Sequence, residues 1–327
     1  MNRVAFTVIG ACANHPPMKF IERSLHYLRC PVTGGKLIRE GETLVGVSGG
    51  AKYPLDPSGI PMFAGEYCSE ESRRQQEHYE KIFERYFDNL EYSHTDEYMK
   101  YLDSVLLEQV DPGRMGSVAE ICCGRGEAFR ILEKSIGEGV GVDITMSMLE
   151  RGRRELPNEK FIFVQGDATS LPLGDNLFDS VFMIGGIHHV ANRQKLFSEV
   201  FRILKPGGRF IWREPASDFL VWRLIRAVVY RLSPALDHKT ERPLLYAETV
   251  PPLERAGFRI RQWKTCGFLG FSIFMNSDIL IFNRLFRFVP GIRGIIRFFA
   301  RLDEWLTSLP GMERSGLIVV GSAEKPV

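Results

Sequence analysis

From residue 117 onward, short apolar runs alternate with helical ones, and the first run ends in an acid and a glycine-containing turn. Strand patterns fall at Val118 to Cys122, Gly139 to Asp143, Phe161 to Gln165, Ser180 to Ile184 and Arg209 to Arg213. Helical patterns separate them at Glu127 to Ser135, Met146 to Glu155 and Arg193 to Leu204. Strands that each wait for a helix before the next strand pair in parallel through right-handed crossovers. A helix near Thr249 to Ala256, a strand near Arg259 to Lys264 and a last strand, Gly316 to Gly321, complete the pattern. The expected fold is α/β, a doubly wound, seven-stranded, mostly parallel sheet. A small N-terminal β-rich module and apolar helical inserts in the C-terminal half decorate it.

In such sheets, ligands bind outside the carboxyl ends of the strands. The residues at those ends therefore carry the functional reading. The first strand runs Val118-Ala119-Glu120-Ile121-Cys122-Cys123-Gly124-Arg125-Gly126. Its glycines let the backbone approach a ligand closely. Asp143 ends the second strand, where an acid accepts hydrogen bonds from ribose hydroxyls. Asp167 follows the third strand, placed to meet the amino group of a base. Phe178 to Gly186 ends at the cleft after the fourth strand, and Leu204-Lys205-Pro206-Gly207-Gly208-Arg209 turns into the fifth. A nicotinamide site is the competitor. It calls for GxGxxG, whose third glycine packs helix on strand. Here Gly126 is followed by Glu127, Ala128 and Phe129. The acid at Glu120 also suits a cationic amino-acid moiety better than a pyrophosphate.

In these ordered motifs, residues 117–214 resemble the class I S-adenosylmethionine-dependent methyltransferases, and a weaker likeness continues to the C-terminus. The resemblance implies S-adenosylmethionine (SAM) as cofactor. It assigns Glu120 and the Gly124/Gly126 loop to the methionine and ribose side, and Asp143 to the ribose. Ile144 and Met148 go to the adenine face, Asp167-Ala168 to the adenine edge, and Gly185 to the cofactor cleft. Cys122 departs from the family loop, which commonly has its first glycine there; a small residue at that position is tolerated by many members. Gly185-Gly186-Ile187-His188-His189-Val190 lies where the family places substrate and catalytic groups. His188 or His189 is a candidate proton acceptor near neutral pH, and Glu214 is a second. The competing reading is that these side chains cap the next helix or shape the pocket wall. No His/Asp/Glu cluster has metal-ligand spacing.

The domain organisation expected is a flexible tail over 1–17, a module over 18–66, a helical connector over 67–110 and the SAM-binding domain over 111–327. Inserts fall at 217–246 and 267–312. The apolar run Val4 to Ala13 loosely imitates a signal peptide, but its basic part is one arginine. A loose tail is the preferred reading, with Met18 a candidate true start. The connector holds aromatic residues at helical spacing (Tyr79, Phe83, Tyr86, Phe87), then a second helix from about Asp96 to Val110. It reads either as a solvated link or as a cover over the cleft.

Cys30-Pro31 through Ile60-Pro61 resembles the zinc-ribbon-like modules attached to some methyltransferases. Only Cys30 of the expected ligands is present: Thr33 stands at the second position, and Val47-Ser48-Gly49-Gly50 replaces the second pair. No zinc is expected. Six cysteines without a CxxC pair do not form a disulfide framework.

The inserts point to the substrate. Phe219 to Leu232 reads FLVWRLIRAVVYRL, and Asp278 to Leu306 is similarly apolar and basic. In the latter, Ile292, Ile295, Ile296, Phe299 and Leu302 follow helical spacing beside Arg293, Arg297 and Arg301. Such faces suit an anionic membrane interface or a cap with its apolar side buried. Both place a hydrophobic roof over the cleft. No run reaches the roughly 20 apolar residues of a membrane span. A net charge of +2, with arginines interleaved with Phe and Leu, argues against nucleic acid. The expectation is a cytoplasmic methyltransferase, or one peripheral on the inner face of the membrane, acting on a hydrophobic small-molecule or lipid-like acceptor. An rRNA/tRNA methyltransferase and a catalytically idle SAM-fold scaffold or partner subunit are the alternatives.

Overall fold

A computed structural model describes residues 18–65, 70, 72–77, 80, 92–232, 242–275 and 281–327. The expected tail over 1–17 and most of the expected helix over 70–90 lie outside the described residues. The chain opens with helix α1 (Met18–Tyr27), followed by an antiparallel three-stranded sheet of β1 (Leu37–Glu40), β2 (Thr43–Gly46) and β3 (Lys52–Pro54). The helix was not anticipated in a segment read as β-rich.

Helix α2 (Ser93–Leu107) leads into the large sheet. Its strands are β4 (Ser117–Ile121), β5 (Glu138–Asp143), β6 (Phe161–Gln165), β7 (Phe178–Ile184), β8 (Leu204–Pro215), β9 (Arg259–Cys266) and β10 (Ile318–Glu324). Helices α3 (Glu127–Leu132), α4 (Met146–Glu155) and α5 (Arg193–Ile203) make the early crossovers. Helices α6 (Leu220–Leu232), α7 (Tyr246–Arg255), α8 (Leu269–Phe274) and α9 (Ile292–Ser308) follow β8 and β9. The sheet order is β6-β5-β4-β7-β8-β10-β9. β4, β5, β6, β7 and β8 pair in parallel, whereas β10 runs antiparallel to both its neighbours. The order reverses at β4, so the crevice above β4 and β7 is the switch point where such sheets bind ligands.

Strands covered on both faces carry near-continuous apolar sequence, and β6, Phe-Ile-Phe-Val-Gln, is buried throughout. Side-chain alternation divides the core into two layers. Ala119, Ile121, Val140, Val142, Ile162 and Val164 join one. Val118, Phe129, Phe161, Phe163 and Phe182 join the other. Gly141 sits on β5 where a Cβ would come within 2.8 Å of Cys123 Sγ and 3.2 Å of Phe129. Only a glycine lets α3 settle this close to the sheet.

The N-terminal module docks on the exposed edge of β6. Phe63 N donates to Gln165 O at 2.9 Å, and Gln165 N to Pro61 O at 2.9 Å. Beyond β6, Arg29 N bonds Pro172 O and Gly174 N bonds Tyr27 O. These bonds cover an edge that would otherwise present unpaired backbone groups. Inside the module, Cys30 Sγ lies 3.1 Å from Tyr53 Oη and Thr33 Oγ1 accepts from Gly35 N.

Register places the C-terminal inserts above the same end of the sheet as the crevice. Ile318 pairs with Pro215 on one side and Cys266 on the other. The segments leaving β8 and β9, and the segment entering β10, therefore all sit at the ligand-binding end. Trp222 anchors α6 by donating its indole N–H to Ser315 O at 2.8 Å.

Candidate cofactor and substrate cleft

The acid and glycine positions at the strand ends meet around one cavity, with about 1010 Å³ of empty space including its open mouth. Cys122, Gly124, Asp143, Ile144, Met148, Asp167, Ala168, Gly185 and His189 all line it. Gly124 and Gly185 have φ of +53° and +73°, and a Cβ at either would meet nothing within 4 Å. Both turns thus hold their backbones against open space. Cys122 occupies the same left-handed region, φ +51°. This conformation is costly for a side-chain-bearing residue; burial, aided by nearby carboxylates, pushes its thiol well above the usual range.

Asp143 holds the turns in place. Its Oδ2 accepts from Gly124 N and its Oδ1 from Thr145 N, each at 2.8 Å. The Thr145 side chain and the Ile144 backbone also stabilise this carboxylate, which lines the cavity wall. Burial raises this carboxyl above the ordinary aspartate range, with the backbone donors opposing it. Asp167 is held similarly. Oδ1 accepts from Thr169 N and Oγ1, and Oδ2 from Ser72 Oγ at 2.8 Å.

Glu120 does not line the cleft. Its position on β4 shares the face of Val118, under α3, so its side chain points at the start of that helix. Its carboxylate accepts from Ala128 N at 2.8 Å and from Phe129 N at 3.4 Å. It caps the orphan donors of the helix N-terminus, and burial pushes its carboxyl well up. Gly126 is also behind the wall, packed near Leu156 and Phe129 at φ +87°. The motif's first acid therefore builds the loop from behind rather than facing a ligand.

His188 and Glu214 form a pair next to the cleft. Glu214 is 0% exposed. It accepts from Gly186 N at 2.7 Å, Ile187 N at 2.8 Å and His188 N at 3.4 Å. Gly186 N and Ile187 N share Oε1, while His188 N and His188 Nδ1, the latter at 2.7 Å, meet Oε2. The His188 and His189 rings lie 3.7 Å apart between centroids, tilted by 42°, and His189 is the one lining the cavity. Among the described residues no group of three or more His, Cys, Asp and Glu could hold a metal ion.

The lining also includes residues that sequence reasoning did not single out, among them Ser72, Gln75, Thr145 and Arg125. Among the described residues, Arg125 is the one basic side chain besides His189 in the wall, and Glu127 at 2.8 Å and Glu155 at 3.2 Å engage it. Against it stand Asp143, Asp167 and Glu127. An acidic, partly apolar cleft suits hydroxyls and a cationic centre; a pyrophosphate would meet repulsion.

Two of the α9 arginines pair with acids of α2. Arg297 pairs with Glu97 at 2.8 Å, and Arg293 lies 3.5 Å from Glu97 and 3.6 Å from Asp96. They tie α9 to α2, while Ile292, Ile296 and Ala300 turn inward. The cap reading therefore accounts for one face of α9. A second set of apolar residues remains exposed: Leu220, Leu224 and Val228 on α6, Leu285 and Phe288 in the 3₁₀ segment Ile281–Phe288, and Phe298 and Trp305 on α9. No helix among the described residues is long and apolar enough to cross a membrane.

Residues 119–212 match the family model described as a methyltransferase domain. A demethylmenaquinone methyltransferase of Symbiobacterium thermophilum is 38% identical over 109 residues, 31% of this chain and 43% of that protein. The ubiquinone/menaquinone biosynthesis C-methyltransferase UbiE of a Marinomonas species is 33% identical over 129 residues, 36% of this chain and 51% of its own length. The chain spans about half the length of these curated relatives or less. In three dimensions, it is similar to a chain of the complex between the Haloferax volcanii Trm112 methyltransferase activator and a methyltransferase. That match has TM-score 0.53 at 17% identity and covers 77% of this chain and 97% of that one. A sarcosine dimethylglycine methyltransferase structure from Galdieria sulphuraria matches with TM-score 0.51 at 15% identity, over 69% of this chain and 85% of its own. The chain carries a methyltransferase domain on the class I methyltransferase fold.

Proposed function

We propose that the chain is a SAM-dependent methyltransferase acting on a hydrophobic, quinone-like acceptor presented at an anionic lipid surface. The observation that carries the cofactor reading is the joint position of Asp143, Asp167 and the turns at Gly124 and Gly185 around one acidic cleft. The residues fit the group. The Asp143 carboxylate in the cleft wall serves ribose hydroxyls, Ile144 and Met148 cover the base, and the acidic wall suits a sulfonium. Glu120 and Gly126 support that site from behind. When bound, SAM supplies an electrophilic methyl whose leaving group is already activated by positive charge.

The chain's own contribution is alignment and exclusion of water. His189 lines the cleft and takes the acceptor's proton as it becomes nucleophilic. Glu214 and His188 are positioning residues that hold the turn from Gly185 to Val190. The names of the two relatives support a quinone-type acceptor. The exposed apolar side chains on α6 and α9, beside exposed Arg223, Arg287 and Arg301, support a lipid interface.

The test is methyl transfer from SAM to a short-chain demethylated quinol, with and without vesicles containing phosphatidylglycerol. Sedimentation with those vesicles should be lost in the double variant Leu224→Glu, Phe298→Glu, while turnover of the soluble acceptor persists. Equal sedimentation by both proteins would remove the lipid part of the reading. Transfer to RNA instead of the quinol would replace the acceptor.

A further inference from the structure

The helical residues 72–77 belong to the connector, not to the methyltransferase domain, yet two of their side chains enter the cleft wall: Ser72 and Gln75. Ser72 is tied to Asp167 at 2.8 Å. Gln75 is three residues on and so shares its helix face. Further along, Glu80 Oε1 accepts from Ser147 N at 3.3 Å, in the first turn of α4. Ser72 is thus anchored at the loop after β6 and Glu80 at the start of α4, and Gln75 lies between the two anchors in sequence.

Gln75 is only 7% exposed, and both its amide nitrogen and its amide oxygen are buried without a hydrogen-bond partner among the described residues. A buried primary amide unpaired at both ends is unfavourable in the free protein. The same amide gains two hydrogen bonds if a ligand brings a donor next to an acceptor.

We infer that Gln75 is a ligand-contacting residue whose amide pairs with the adenine base of the bound cofactor. The inference rests on the SAM reading of the cleft. A base edge of adenine sets an amino donor beside a ring-nitrogen acceptor, and a glutamine amide matches that pair with its own acceptor and donor. The ribose presents hydroxyls, for which Asp143 is at hand. The amino-acid end is charged and is less well served by a neutral amide. The Ser72–Asp167 bond fixes Gln75 on the side of the cleft assigned to the base. The connector therefore adds base selectivity from outside residues 119–212.

The test is calorimetric binding of S-adenosylhomocysteine (SAH) and of methylthioadenosine, which keeps the nucleoside but lacks the amino-acid moiety. Full-length wild type, Gln75→Leu and Gln75→Ala are compared, with the ligand-free thermal midpoint of each. Both variants should bind both ligands on the order of 10- to 100-fold more weakly, by a similar factor for each. The ligand-free midpoint of Gln75→Leu should not fall, because the unpaired amide is gone. Unchanged affinity for both ligands would overturn the inference and leave the SAM reading standing. A loss confined to SAH would place Gln75 at the amino-acid end and overturn it too. A failure of folded wild type to bind either ligand would instead overturn the SAM reading on which it rests.

Discussion

Glu214→Gln and Glu214→Ala separate a positioning residue from a proton acceptor. Glu214 is fully buried and receives two short backbone bonds, from Gly186 and Ile187, a long one from His188 N, and the His188 ring. Hydrogen bonds to a charged acceptor contribute about 1.5–3 kcal/mol each, and the 3.4 Å contact counts for little. Truncation to alanine leaves buried donors unpaired and should cost about 3–5 kcal/mol of unfolding free energy. The amide of glutamine can still accept from Gly186 and Ile187 but loses the charge, so about 1–2 kcal/mol is expected. Urea unfolding followed by circular dichroism measures both. Because the carboxylate acts on the turn carrying His189, Glu214→Gln should weaken SAH binding and turnover together, by about tenfold or less. A variant with normal stability and normal SAH affinity, but turnover reduced by about a thousandfold or more, would refute this. Glu214 would then act on the reacting atoms themselves.

Two further outcomes follow from the cleft geometry. Burial raises the Asp143 carboxyl, and a ribose needs it ionised. SAH affinity should therefore fall on acidification, beginning at higher pH than for an ordinary aspartate and approaching about tenfold per pH unit below the pKa; Asp143→Asn should flatten that dependence. A Cβ at Gly186 would lie 2.5 Å from Cys122 Cβ, so Gly186→Ala should destabilise by about 1–3 kcal/mol in urea unfolding. Adding Cys122→Gly removes both the clash and the φ +51° strain and should recover most of the loss; strict additivity of the two changes would contradict the contact.

Much of the fold was legible because parallel strands buried on both faces are apolar along their whole length, and helices separate them at even spacing. The helix over Met146–Glu155 and the strand over Phe161–Gln165 coincide with the pattern. β8 begins at Leu204, earlier than Arg209, because Leu204 already pairs with Phe178 before the register shifts. Helix α1 was missed where the glycines and prolines of the following hairpins dominate the local signal. Glu120 was legible as an acid at a strand end, but not the face it takes; the pleat turns it under α3. Gln75 had no local signal. It is a neutral residue in a charged helix, buried only because the chain some ninety residues later folds beneath it, as the Ser72–Asp167 separation of 95 shows. The sequence left Arg293 and Arg297 open between a lipid surface and the solvated side of a cap, because Glu97, which pairs with both, is some two hundred residues away along the chain.

The central claim, that this cleft binds SAM, is tested most directly by calorimetric titration of purified wild-type protein and Asp143→Ala with SAH. Saturable one-to-one binding by the wild type, weakened on the order of a hundredfold or more in a variant that still unfolds cooperatively, is the predicted result. Absence of binding by a folded wild-type protein, or equal binding by both, would contradict it.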